Sequence, residues 1–184
     1  MGKEKALLEI HGEPLVVRAA RMLQTLCSSV TVVGRPERYQ PLGLAAVADE
    51  RPDLGPLGGI LTALGQTNRP WNLVVACDLP YLTVEWLHYL VGRAHASRAR
   101  VVLPESDAGP EPLCAMYHRE VVGAIRAEID RGVLKVTRAL EALPVERISP
   151  ADIRPFDPCG VLFQNLNTIE DYERARADLE ARRE

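Results

Sequence analysis

Asp78 stands at the end of Leu73-Val74-Val75-Ala76-Cys77, a short unbroken apolar run, and Pro80 then stops any continuation. A run of this kind, without period-two alternation, predicts a parallel strand buried on both faces. Ligands of open α/β sheets sit beyond the carboxyl ends of the strands. A lone carboxylate placed there can hold a divalent metal ion against a substrate phosphate. The same Asp can instead cap a turn or the following helix. Three further groups have chemical potential. Lys5 lies just before the apolar segment at Leu8–Ile10, where an ammonium either meets a phosphate or is simply solvated. Gly55-Pro56-Leu57-Gly58-Gly59 reads as a glycine-rich turn opening into a helix. Glycines let backbone approach a ligand, and a helix start presents free N–H groups. A tight strand-to-helix connection with no ligand has the same pattern. Asn165 and Asn167 flank Leu166. In a strand their amides point to one side, to read a polar heterocycle or to tie down a turn.

The elements that must position these groups alternate between strand-like and helix-like patterns. Val30–Val33 and the weaker Ala45–Ala48, which ends at Asp49, read as strands, as do 101–103, 113–117 and 145–148. Leu15, Ala19, Met22, Leu23 and Leu26 form one helical stripe, with Pro14 suited to its first position. Val84, Leu87, Leu90, Val91 and Ala94 form another, with Thr83 as the expected N-cap. Residues 105–111 read as a polar loop, 120–130 as a helix ended by Gly132, and 135–143 as a short helix. Thr168 with Asp171 fits a variant capping box, opening a last helix through Ile169, Tyr172, Ala175 and Leu179. Alternating β and α segments predict βαβ units and a parallel sheet.

Composition narrows the classes. A chain of 184 residues, 47% hydrophobic, 26% charged and of net charge −3, reads as a single domain, residues 1–184, with a full core. That charge balance argues against a nucleic-acid surface. No stretch approaches the roughly 18 apolar residues of a membrane span, and no secretory pattern opens the chain. The four cysteines, Cys27, Cys77, Cys114 and Cys159, form no C-x-x-C pair, so reduced thiols in a cytoplasmic protein are expected. The four histidines have neither metal spacing nor a nucleophile beside them and read as surface or turn residues.

Taken in order, these pieces resemble the molybdenum cofactor guanylyltransferases over nearly the whole chain. Met1-Gly2-Lys3-Glu4-Lys5-Ala6-Leu7-Leu8 looks like the end of that family's signature loop, with Lys5 as its phosphate-binding lysine. Gly12-Glu13-Pro14-Leu15 looks like its next motif. Asp49 and Gly55-Pro56-Leu57-Gly58-Gly59-Ile60 resemble the guanine-side segment, Cys77-Asp78-Leu79-Pro80 the metal-binding strand end, and Asn165-Leu166-Asn167-Thr168 the segment facing the pterin. The resemblance implies a Rossmann-like three-layer α/β/α sandwich with a mostly parallel sheet, of the nucleotide-diphospho-sugar transferase type. It implies transfer of GMP from GTP to molybdenum-loaded molybdopterin, with release of pyrophosphate. Mg²⁺ would be held at Asp78, and the partners would be GTP, molybdopterin and other cofactor-biosynthesis proteins. A cytidylyltransferase of the same superfamily and a non-catalytic molybdopterin-binding partner are the competing readings.

One departure is large. The family begins with a strand and a glycine-rich loop of the form L-A-G-G-x-S-x-R-M-G, and this chain begins at the Met-Gly. The absent strand is expected at the centre of the sheet and the absent loop around the triphosphate. Without that strand, its neighbours should lie unpaired beside an empty core slot. A lesser departure lies at Gly34-Arg35, where the family often carries an Asn.

Overall fold

Strands Val101–Ser106 and Cys114–His118 are where the chain packs most densely. In both, the first four residues are buried. Their side chains alternate between two layers, as the period-two geometry of a strand requires. Val101, Leu103, Ala115 and Tyr117 face one core, while Val102, Cys114 and Met116 face the other. Each face is then covered by helices, which gives the expected α/β/α layering.

The computed structural model describes residues 5–181. In chain order it holds β1 (Glu9–Ile10), β2 (Glu13–Pro14), α1 (Leu15–Gln24), β3 (Val32–Gly34), α2 (Pro36–Tyr39), β4 (Ala46–Ala48), α3 (Gly55–Gly65), β5 (Trp71–Val75) and α4 (Val84–Ala96). Then follow β6 (Val101–Ser106), β7 (Gly109–Pro110), β8 (Cys114–His118), α5 (Val122–Asp130), α6 (Val136–Ala139), β9 (Val145–Ile148), α7 (Pro150–Ile153) and α8 (Ile169–Ala181). No helix among the described residues is long and apolar enough to cross a membrane.

The sheet is mixed, where a mostly parallel one was expected. Parallel pairing holds for β3–β4 and β6–β9. β8 runs antiparallel between β5 and β6, and β7 folds back on β6. The antiparallel pairs arise from residues 105–111, expected as a loop. Gly109 at φ 122° lets the chain reverse there, so that Glu105 pairs with Pro110 and Ser106 with Gly109. β8 then returns beside β6 without a crossover helix.

A second difference concerns β5. Its apolar run predicts burial on both faces, yet every residue from Trp71 to Val75 is only half-buried. Leu73 and Val75 touch one core and Val74 the other. The exposure comes from the free edge: β5 ends the five-stranded sheet, and β3 and β4 form a separate two-stranded one. Between β3 and β5 lies a cleft of ≈ 840 Å³.

Candidate active site

Asp78 is carried three residues past β5 on a turn that its neighbours anchor. Leu79 and Leu82 are buried against Trp86 and Leu90, and Tyr81 is buried in a separate cluster with Ile10 and Leu166. The Tyr81 hydroxyl donates to Asp178 of α8 at 2.9 Å. Thr83 ends the turn by capping α4, its hydroxyl accepting from the Trp86 N–H at 3.2 Å. Thr83 thus takes the capping role, and Asp78 is left at the rim of the cleft, half-buried.

The chain then returns from far away to the same place. Leu166 is fully buried, and its N–H donates to the Asp78 carbonyl at 3.1 Å. That bond brings the backbone between Asn165 and Asn167, both exposed, to the Asp78 turn. No strand forms at 163–168, and the chain there runs exposed at Asn165, buried at Leu166 and exposed at Asn167. Asn167 accepts from Lys5 Nζ through its side-chain oxygen at 3.1 Å. Asn167 and Thr168 also donate their N–H groups to Asp171, at 3.2 and 2.9 Å, while Asp171 N–H donates to the Thr168 hydroxyl at 3.0 Å. This is the expected box at the start of α8. The Thr168 N–H foremost, with its hydroxyl and the Asn167 N–H, holds the Asp171 carboxyl below the usual aspartate range.

Lys5 opens a short 3-10 turn, Lys5–Leu7, whose Ala6 is buried against Val16 and Tyr39. Lys5, Pro56, Gly59 and Asp78 all line the cleft. The glycine-rich turn expected at 55–59 is instead the first turn and a half of α3, which begins at Gly55 itself. Gly55 has φ 58°, a conformation that a side chain would strain. A Cβ at Gly58 would lie 2.4 Å from the Arg51 carbonyl oxygen, so this glycine permits helix-to-loop packing. Leu57 is fully buried in the core.

Asp49 sits opposite that helix turn. One carboxylate oxygen accepts from the Arg51 N–H and the Thr62 hydroxyl, each at 2.9 Å, and Thr62 in turn accepts from the Glu50 N–H at 3.1 Å. A Cβ at Gly59 would stand 3.9 Å from the other oxygen. Thr62, which the sequence reading passed over, thereby fixes Asp49. Its signal was available: a lone hydroxyl in an apolar helix, 2% exposed, must find a partner.

The histidines divide. His11, at φ 55°, sets its Nε2 3.1 Å from the Leu179 carbonyl, and His118 accepts from the Glu120 N–H at 3.4 Å while meeting Trp71 edge-on. Both are therefore tied into the structure. None of the four cysteines is in a disulfide, and burial pushes the Cys114 thiol up to about 12, so it is inert at neutral pH.

An α/β/α fold with a lysine and a strand-end aspartate lining one cleft is that of a nucleotidyltransferase-like protein. Comparison with known proteins agrees: residues 1–145 match the MobA-like NTP transferase domain, and the chain belongs to that family. It is 32% identical over 177 residues to the molybdenum cofactor guanylyltransferase of Syntrophotalea carbinolica, covering 96% of this chain and 84% of that one. The molybdopterin-guanine dinucleotide biosynthesis protein A of Archaeoglobus fulgidus shares the fold, with a TM-score of 0.80 at 24% identity over 98% of this chain and 92% of that one. So does 2-C-methyl-D-erythritol 4-phosphate cytidylyltransferase from Thermus thermophilus, with a TM-score of 0.73 at 13% identity over 96% and 94% of the two chains.

Proposed function

We propose that this chain transfers GMP from GTP to molybdenum-loaded molybdopterin, forming molybdopterin guanine dinucleotide and pyrophosphate. The observation that carries the reading is the meeting of distant segments: Lys5 and Asp78 line one cleft, Lys5 bonds Asn167, and Leu166, between Asn165 and Asn167, bonds the Asp78 carbonyl. The name of the Syntrophotalea relative supports the choice of substrates.

In this reading the terminal phosphate of the pterin attacks the α-phosphorus of GTP in line, and the bond to the β-phosphate oxygen breaks. Such transfers need positioning and charge neutralisation more than covalent help. Lys5 exchanges its Asn167 partner for phosphate oxygens and offsets their charge. Asn167, released, turns with Asn165 toward the pterin. Asp49 and the start of α3, from Gly55 to Gly59, face the guanine, whose N1–H and amine suit a carboxylate acceptor. Asp78 offers one hard oxygen donor set, and no group of three His, Cys, Asp or Glu stands ready for a metal among the described residues. That suits a Mg²⁺ ion that arrives with nucleotide phosphates better than a resident ion. When bound, the cation neutralises charge on the phosphate oxygens.

Titration calorimetry of GTP, with CTP as control and Mg²⁺ present, tests this on the chain as it stands and on a version extended upstream in frame. Preference for GTP in either supports the proposal. Preference for CTP reassigns the chain as a cytidylyltransferase, and no nucleotide binding by either overturns the transferase reading. In whichever chain is active, Asp78→Asn should cut turnover about 100-fold or more at unchanged melting temperature. Retained Mg²⁺-dependent turnover would remove Asp78 from its role.

A further inference from the structure

A second cavity, of ≈ 370 Å³, opens between the β6–β7 hairpin, α7 and the chain from 157 to 164. It stands at the same end of the sheet as Asp78. β8 runs antiparallel to both β5 and β6, so those two strands point the same way. Ser106, at the end of β6, therefore shares that end with the turn past β5. Gln164 lines the cavity, and Leu166, two residues on, bonds the Asp78 carbonyl. Two residues of chain span at most about 7 Å, so the cavity and the Asp78 turn are neighbours.

The lining defines the occupant. Ile153 and Phe163 are buried and apolar, and Phe163 is fixed edge-on against Trp86. Small-molecule sites run from about 300 to 1,000 Å³, so this one suits a single fused ring system better than a whole nucleotide. Its charges are Asp107, Glu111 and Asp157 against Arg154, which favours a donor-rich ligand over an anion. Both Asp157 oxygens are taken, by the Val161 and Leu162 N–H groups at 2.8 and 3.1 Å. Glu111 is different. Its N–H is tied to the Pro104 carbonyl at 2.9 Å, and one side-chain oxygen accepts from the Ser106 hydroxyl at 2.6 Å. The other oxygen has no bonded partner among the described residues. Burial raises this carboxyl, and a donor in the cavity offsets that cost.

Asp49 has the same arrangement, with one oxygen held by the Thr62 hydroxyl and the other open beside Gly59. Guanine, the base assigned to Asp49, and a pterin ring carry the same edge, a ring N–H beside an amino group. Two carboxylates built alike suit the donor's base and the acceptor's ring. We propose that the second cavity seats the pterin ring of the acceptor, with Glu111 reading its ring N–H and amino group. Glu111 is thereby a specificity-determining residue, and the chain from Gln164 to Asn167 leads from the ring to the Asp78 turn. The identity of this ligand rests on the transferase reading.

Fluorescence titration of the full chain with a methylpterin tests this. The control is the matching lumazine, in which an oxo group replaces the amino group, and both are run with and without saturating GTP and Mg²⁺. The natural chain should prefer the pterin by about 10-fold or more, equally with GTP bound. Glu111→Gln should lose that preference at unchanged melting temperature. Equal affinity for the two rings, or none for either, overturns the proposal. So does a preference that survives Glu111→Gln. Displacement of the pterin by GTP assigns the ring to the Asp49 side and overturns it too. The natural-chain comparisons need no variant, so they decide the case even where Glu111→Gln is unstable. GTP binding without pterin preference sinks this inference alone. Pterin preference without any nucleotide binding sinks the transferase reading and leaves the cavity as a pterin site.

Discussion

β5 and β8 are adjacent strands of five residues each, both dominated by apolar side chains, yet they live in different environments. β8 lies between two strands and is buried over its first four residues, while β5 has one strand partner and is half-buried throughout. Burial here follows the number of ladder neighbours more than composition. The half of the molecule built on β6 and β8 holds the fold. The half built on β3 and β5 holds the open cleft and the side chains assigned to chemistry.

That division can be broken or sharpened by mutation. The largest effect is expected at Trp86, fully buried among Tyr89, Phe156 and Phe163. Trp86→Ala should cost about 3–5 kcal/mol in denaturant unfolding. A more direct comparison sets Leu103→Ala, in fully packed β6, against Leu73→Ala in β5. The first should cost about 2–5 kcal/mol and the second about 1 kcal/mol. Equal costs would show that the cleft is not open in solution. Thr83→Ala removes the α4 cap beside the Asp78 turn and should cost about 1 kcal/mol. Thr83→Ser should restore most of it, and an unchanged midpoint in both would dismiss the cap.

The smallest effect concerns Asp171. Its folded-state pKa lies below the unfolded one, so its contribution is present above the ordinary aspartate range and is lost as pH falls through the lowered value. The gap in melting temperature between the natural chain and Asp171→Asn should therefore be full at neutral pH and close on acidification. A gap independent of pH would sever the box from the carboxylate charge.

Local patterns were the legible part of the sequence. Thr83, the stripe through Leu87 and Leu90, and the Thr168–Asp171 box each act within one or two helical turns, and each appears as expected. What escaped depends on contacts remote in sequence. The half-burial of β5 is not written in Leu73–Val75 but follows from its free edge, and unpaired strand edges were expected from the departure at the chain start. The β6–β7 reversal rests on one glycine conformation inside a stretch that looked like polar loop. The glycines at 55–59 read as a turn opening into a helix, but they lie within α3, where Gly58 is required by the close Arg51 carbonyl. For the candidate site, residue types at Lys5, Asp49, Asp78, Asn165 and Asn167 were legible, while their mutual bonds were not.

Helix α8 reaches the hairpin near the beginning of the molecule twice, where Tyr172 donates to the Glu9 carbonyl at 2.6 Å and His11 meets the Leu179 carbonyl, and it holds Tyr81 beside the Asp78 turn through Asp178. The first of these pairs spans 163 residues of chain. During synthesis, the hairpin beside Lys5 therefore has to wait for a helix made many seconds later, at the usual ribosomal pace of about 5–20 residues per second. Until that helix emerges, a nascent chain has its β6–β8 core available but no clasp for its start. A protease that clips α8 would release the opposite end of the polypeptide first.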